Sequence, residues 1–285
     1  MDRVDLHVHS TASDGSLSPW EVVAAAKARG LRAIALTDHD TIDGLAEALV
    51  AGRELTLEVI PGIEISAHHE PGSMHILGYF VDHQSPQLDA QLQVLKKARA
   101  ARNPQIIAKL QDLGMRITLA EVEEVSGGGQ VGRPHIAQVL VQKGYVATLQ
   151  EAFERLIGNH GPAYVSKFRF PPQEAIALIR AAGGVAGLAH PFTLEYGSPT
   201  HLRQIVAQLA GWGLKALEVY YPEHTPEQRE LYRQLAQELD LIMTGGSDFH
   251  GDIKPDIQLG WVGAGHRVGY EVVAQLKAVA NSIKV

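Results

Sequence analysis

The stretch DLHVHSTASDGSLSP, Asp5 to Pro19, sets the terms for the rest of the chain. His7 and His9 stand at i and i+2 in the apolar run Val4-Asp5-Leu6-His7-Val8-His9, and the period of two in a strand throws both imidazoles onto one face. Two neutral imidazoles aimed the same way suit a divalent ion. Asp14 adds an oxygen in a Ser/Gly loop. Ser18-Pro19 then supplies a cap residue and a proline at the first helical position. An HxH pair alone also fits a half-buried strand that carries two histidines by chance. What decides between the two is how often later strands end in another ligand.

Outward from that stretch, short β-rich runs alternate with helical patterns, which predicts βα units and parallel pairing. Strand Val4–His9 leads to helix Pro19–Arg29, and Ala33–Leu36 ends in Thr37-Asp38-His39-Asp40. Thr41 or Asp43 caps a short helix to Ala51, and Leu57–Ile60 ends in Pro61-Gly62-Ile63-Glu64. His75 opens the apolar run His75–Phe80 instead of closing it, so that strand either runs against the others or is misplaced by a few residues.

From Pro86 to Leu113 the pattern is helical, with Pro104 expected to break it. Helical patterns continue at Leu119–Val125, Pro134–Lys143 and Leu149–Leu156 with no clear strand between them. The βα series returns with strands Val185–Ala189, Ala216–Tyr220 and Leu241–Thr244 and helices Gln173–Ala182, Leu202–Ala210, Pro226–Leu239 and Tyr270–Ala280. The expected organisation is a first barrel part over 1–99, a helical insertion or cap over 100–165, and a second barrel part over 166–285.

Composition narrows the function. The 285 residues carry a formal charge of −7 and a pI near 6.0, so no net basic field draws the protein to nucleic acid or membranes. Cysteine is absent, which excludes disulfides, thiolate sites and cysteine nucleophiles and fits a reducing compartment. The start MDRVDLHVHS has no leader pattern, and no apolar run reaches the roughly 18 residues a membrane span needs, so the expectation is a cytoplasmic protein. Histidine is the outlier, with 14 residues, about twice ordinary usage.

His9, His39, Glu64, His190, Asp248 and His250 each fall just past the carboxyl end of an expected strand, the edge where α/β folds build active sites. Any one of them alone fits a turn or a helix cap. Together they point to one cluster.

In order and spacing, HxH…D (His7, His9, Asp14), TDHD (Thr37 to Asp40), PGxE (Pro61 to Glu64), HILGY (His75 to Tyr79), AHP (Ala189 to Pro191) and GSDFH (Gly246 to His250) resemble the PHP superfamily of metal-dependent phosphoesterases. The resemblance covers both ends of the chain and implies a distorted (β/α)7 barrel with a helical insertion and two to three divalent ions, Mn²⁺ first, with Zn²⁺ or Fe²⁺ as alternatives. It implies one ion on His7, His9, Glu64 and Asp248, a second on Glu64, His75 and His190, and a third on Asp14, His39 and His250. His7, His9, Asp14, Glu64 and Asp248 would carry the catalysis. Imidazole and carboxylate without sulfur agree with such ions. A bridged pair would turn a shared water into the hydroxide that attacks phosphorus, so no protein nucleophile is needed.

Inside the insertion, Gly127-Gly128-Gly129-Gln130-Val131-Gly132-Arg133-Pro134-His135 sets glycines beside a helix start and a guanidinium. It is either a phosphate grip, with Arg133 and His135 in it, or a flexible hinge. Lys167 is a candidate second cation, and His224, just after a strand, a candidate substrate contact. GRPHIA followed by GPAYV resembles the branch of nucleoside 3′,5′-bisphosphate phosphatases and 5′-3′ exoribonucleases. The expected reaction is hydrolysis of the 3′-phosphate of a nucleoside 3′,5′-bisphosphate. Alternatives are 5′-3′ trimming of short RNA or DNA, histidinol-phosphate hydrolysis, or a non-catalytic module. Net acidity, and no basic stretch read as interleaved with aromatics, favour a small phosphorylated substrate. Oligomeric state is not legible.

Overall fold

The computed structural model describes residues 2–283. In chain order, strand β1 (Arg3–Val8) is followed by α1 (Pro19–Ala28), β2 (Ala33–Leu36), α2 (Leu45–Leu55), β3 (Glu58–Ala67) and β4 (Met74–Tyr79). The helices α3 (Pro86–Asp112), α4 (Leu119–Val125), α5 (Arg133–Gln142) and α6 (Leu149–Ala152) come next, the last running into a π-helical turn, Phe153–Ile157. Then come α7 (Pro172–Ala181), β5 (Val185–Leu188), α8 (Pro199–Gly211), β6 (Ala216–Tyr220), α9 (Pro226–Glu238), β7 (Ile242–Gly245), β8 (Val268–Gly269) and α10 (Tyr270–Ile283).

One sheet runs β7-β6-β5-β4-β3-β2-β1-β8. It nearly closes, because the chain beyond β7 returns to β1: His9 N–H donates to Phe249 O at 3.0 Å and Asp248 N–H to His7 O at 2.8 Å. The expected barrel is therefore present, with β4 antiparallel to both β3 and β5. Of the two options for the His75 run, reversal is the one found.

Two expectations need correction. Pro61-Gly62 does not end β3, which runs on to Ala67 because β4 hairpins onto its second half from Gly62↔Tyr79 to Ala67↔Met74. Glu64 is thus inside a strand. Pro104 does not interrupt α3. Packing on both sides holds the helix through the lost hydrogen bond: Leu88, Leu92 and Leu95 enter the barrel's core, while Ile106, Ile107 and Leu110 enter a separate core with Val122, Ile136 and Leu140. The expected boundary at residue 100 falls within this one helix. The two-residue β8 has no counterpart in the sequence reading, being too short to leave a pattern.

Period-two alternation is visible in β2, where Ile34 and Leu36 join the outer core and Ala33 and Ala35 a second cluster with Leu6, Leu77 and Tyr79. α1 begins as the sequence predicts, with Ser18 and Glu21 forming a reciprocal cap and Pro19 at its start. α2 starts later than expected, at Leu45, with no side-chain cap on Gly44.

Gly246 shows how tightly β1 and the loop after β7 meet, since a Cβ there would lie 2.3 Å from His7 Cβ and 2.4 Å from His7 N. Gly246→Ala must push β1 aside, and overpacking of this kind costs about 1–3 kcal/mol. The expected outcome is a fall in Tm of roughly 3–8 °C by calorimetry. An unchanged Tm would show that the two segments separate freely.

Candidate metal centre

β1 delivers His7 and, just past its end, His9, both fully buried. The turn after β2 delivers His39, β3 delivers Glu64, β4 His75, the turn after β5 His190, and the loop after β7 Asp248 and His250. Asp248 and His190 sit at φ 54° and 22°, conformations a side chain holds only where its surroundings enforce them.

The structure brings these residues and Asp14 to one place. His7, His9, Glu64 and Asp248 offer donor atoms that all lie within 4.8 Å of one another. So do those of His9, Asp14, His39 and His250, and of His39, Glu64 and His75. Glu64 is the hub. Its Oε2 lies 3.2 Å from His7 Nε2, 3.3 Å from His9 Nε2 and 3.0 Å from His39 Nδ1. Its Oε1 lies 2.9 Å from His75 Nδ1 and 3.0 Å from His190 Nε2.

Whether these residues fit a cation is tested by atoms left without partners. His7 Nε2, both ring nitrogens of His9, His39 Nδ1 and Glu64 Oε2 are buried and unpaired. Orphan polar atoms are costly singly. Three of these nitrogens surround the orphan Glu64 Oε2, and His9 Nδ1 faces Asp14, which together form a cradle for positive charge. Protonation equilibria point the same way. Burial opposes it, yet the carboxylates of Asp248 and Glu64 hold His9 up at about 9, and despite burial the neighbouring imidazoles hold the Asp14 and Glu64 carboxyls well below their usual range.

A second layer orients the first. His7 Nδ1–H donates to Glu218 Oε1 at 3.1 Å, which leaves Nε2 as the free donor atom facing the cradle. Glu218 Oε2 also accepts the His190 N–H at 2.7 Å. Asp38 accepts from Ser10 N–H, Ser10 Oγ and Ser13 Oγ at 2.8, 2.8 and 2.6 Å, fixing the loop that carries Asp14. Asp5 accepts from Ser247 N–H and Gly260 N–H at 2.8 and 2.7 Å. Sequence reasoning missed Glu218 and Asp5. The available signal was a carboxylate inside an otherwise apolar strand, in Ala216-Leu217-Glu218-Val219-Tyr220 and in Val4-Asp5-Leu6.

Beside the cradle lies a group of cations. Asp40, whose N–H donates to Glu64 O at 2.9 Å, is fully buried and takes Arg99 Nη2 at 2.5 Å and Lys167 Nζ at 2.6 Å on one oxygen. Arg102 donates to Asn103 Oδ1 at 2.9 Å. Arg133 donates to Ile157 O at 3.1 Å and Asn159 Oδ1 at 3.3 Å, and lies over the rings of Phe153 and Tyr164. Neither of these two guanidiniums pairs with a carboxylate among the described residues. Burial, together with neighbouring Arg99, Arg133 and Arg169, pushes Arg102 down to about 8. A cluster this rich in positive charge is built for an anion.

The segment Lys167-Phe168-Arg169-Phe170 interleaves cations with aromatic rings, which corrects the sequence reading on that point. Phe168 is half exposed against Phe170.

His135 and His224 are placed differently. His135 is buried and accepts the Gly132 N–H on Nδ1 at 2.9 Å, so it secures the start of its own helix. His224 is packed among Phe192, Tyr221 and Tyr232, with Nδ1 bonded to Val219 O at 3.0 Å. It is not brought into the cradle. The glycine run is no loose hinge at its end: Gly129 packs against Thr11 O, and Gln130 donates to the carbonyl of His39 at 3.0 Å.

Comparison with known proteins agrees with this geometry. Residues 5–253 match the model of the PHP domain. A 5′-3′ exoribonuclease from Haemophilus influenzae is 38% identical over 264 residues, covering 92% of this chain and 93% of that protein. A 3′,5′-nucleoside bisphosphate phosphatase from Chromobacterium violaceum is 32% identical over 251 residues, 88% of each chain. Among solved structures, a Bifidobacterium adolescentis protein assigned as a metal-dependent phosphoesterase superposes with a TM-score of 0.85 at 31% identity, covering 97% of this chain and 96% of that one.

Proposed function

The chain belongs to the PHP domain family and is a metal-dependent phosphoesterase, and from that premise we propose that its substrate carries two phosphates. One is hydrolysed at the nine-residue cradle and the other is held by the cation group beside it, as in a nucleoside 3′,5′-bisphosphate that loses its 3′-phosphate. The observation that carries this reading is the group Arg99, Arg102, Arg133 and Lys167 beside the cradle, with Asp40 as its buried carboxylate. A substrate with a single phosphate would leave that charge unused.

His7, His9, Asp14, His39, Glu64, His75, His190, Asp248 and His250 would hold two to three divalent ions, of which we favour Mn²⁺. When bound, such ions supply Lewis acidity toward phosphoryl oxygens and bring the pKa of an attacking water toward neutrality. The chain's own part is orientation. Glu218 presents His7 with its inward nitrogen free, and Asp38 and Asp5 lock the loops that bear Asp14 and Asp248. The cation group would fix the second phosphate, so the scissile ester arrives at the cradle with its approach already set.

A second reading, 5′-3′ trimming of short RNA, is favoured by the 38% identity to the Haemophilus influenzae exoribonuclease. It needs the same parts, since a terminal 5′-phosphate on the cation group places the next ester at the cradle. A series of substrates with Mn²⁺ separates the options: a 3′,5′-bisphosphate, a 3′-monophosphate, a 5′-phosphorylated dinucleotide and histidinol phosphate. The bisphosphate should have the highest kcat/KM. Preference for the dinucleotide would favour the exonuclease, and preference for either single-phosphate compound would overturn the two-phosphate reading.

Lys167 gives this reading a pH dependence. Burial, only partly offset by Asp40, brings it down to about 7. It is charged below that pH and neutral above, so its grip on a second phosphate weakens as pH rises. The ratio of kcat/KM for the bisphosphate to that for the 3′-monophosphate should fall from about pH 7 to about 8.5, a window above the second phosphate ionisation near 6. Taking the ratio cancels pH effects at the cradle. A flat ratio would remove Lys167 from the second-phosphate site.

A further inference from the structure

We propose that Lys254 is the barrel's own cation for the scissile phosphate, an inference that rests on the phosphoesterase reading of the site and not on which phosphorylated compound is cleaved. Asp248 presents its two oxygens in opposite roles. Oδ1 faces inward, 3.4 Å from His7 Nε2 and 3.1 Å from His9 Nε2. Oδ2 is held by the Tyr221 hydroxyl at 2.8 Å and by Lys254 Nζ at 2.5 Å. The carboxylate can therefore give the cradle one oxygen while the other ties a positive charge to its rim.

Neutralising Asp248 does not by itself account for Lys254. Tyr221 already gives Oδ2 a neutral hydroxyl donor, and Lys254 adds a full positive charge on the same oxygen. The Lys254 side chain is 34% exposed where Asp248 is 8%, so it reaches solvent from beside a carboxylate of the cradle. An ammonium has three donors, and Asp248 takes one. The other two remain for an acceptor arriving from solvent, and at this rim the arriving acceptor is the phosphoryl group. Lys254 follows β7, on the barrel, whereas Arg99 and Arg102 lie on α3, the helix that joins the two cores, and Arg133 lies on α5 of the insertion. A phosphate at the cradle would thus be met by this lysine from the barrel while the second phosphate is met by those arginines.

The test uses the Mn²⁺-loaded full chain with inorganic phosphate as the probe. Lys254→Met should keep the wild-type metal content by elemental analysis and bind phosphate about tenfold or more weakly by calorimetry, the scale of a lost charged hydrogen bond. Its kcat/KM should drop by a similar factor on mono- and bisphosphate substrates alike, and Lys254→Arg should recover most of both losses. Unchanged phosphate affinity, or a loss of metal that accounts for the loss of activity, would overturn the proposal and leave Lys254 as a support for Asp248. If the wild-type protein shows this phosphate dependence on Lys254 yet hydrolyses no bisphosphate, the substrate assignment fails and the role of Lys254 stands.

Discussion

His9→Ala and Asp248→Ala should each lower kcat by on the order of 10³-fold or more while leaving the circular dichroism spectrum unchanged. Each removes a side chain that faces the cradle: His9 contributes to two of the three candidate donor groups and Asp248 to one. Neither belongs to any of the three hydrophobic clusters that hold the barrel and cap together. In the protein without ions, His9→Ala also removes an imidazole that Asp248 and Glu64 hold up at about 9, so its Tm should fall at neutral pH while the fold is kept. Steady-state kinetics beside thermal melts checks both halves. Residual activity within tenfold of wild type in either variant would mean that the cradle is not where hydrolysis occurs.

Arg133→Ala is the second large effect. The guanidinium is held by Ile157 O, Asn159 Oδ1 and two aromatic rings, and burial beside Arg169 lowers it only to about 10, so it stays charged at neutral pH. If it grips the phosphate that is not cleaved, its loss should reduce kcat/KM for a 3′,5′-bisphosphate by on the order of 2–4 kcal/mol, roughly 30- to 1,000-fold. A 3′-monophosphate should already react slowly and lose little more, because two changes to one contact do not add. Equal losses on both substrates would show that Arg133 acts on the fold or on the scissile phosphate.

Much of the site is legible in the sequence because ligand-type residues recur where strands end. His9, His39, His190, Asp248 and His250 obey that rule. Glu64 and His75 do not, since β3 and β4 form an antiparallel pair in which Glu64 lies within its strand and His75 near the amino end of its own. The sequence shows that exception only as an apolar run opening with its histidine. Pro104 misleads because local propensity knows nothing of the two cores that α3 joins. The second layer is harder still: Glu218 and Asp38 act through partners 211 and 28 residues away, and no local pattern reports a contact of that kind. Lys167 and Arg99 are bound through Asp40, which the sequence presents only as the last residue of TDHD. The expectation of no basic stretch interleaved with aromatics also fails, at Lys167-Phe168-Arg169-Phe170, because four residues are too few to register as a stretch.

Eight side chains converge with Glu64 on one cation site, and ions held there should make the protein hydrolytic. The most direct measurement is a titration of chelator-stripped protein with Mn²⁺, following bound metal and phosphate release from a 3′,5′-bisphosphate in the same samples. Hydrolysis should be absent in the stripped protein and rise to full rate as two to three ions bind per chain. Full activity in the stripped protein, or tight binding of two to three ions with no hydrolysis of any phosphoester, would contradict it.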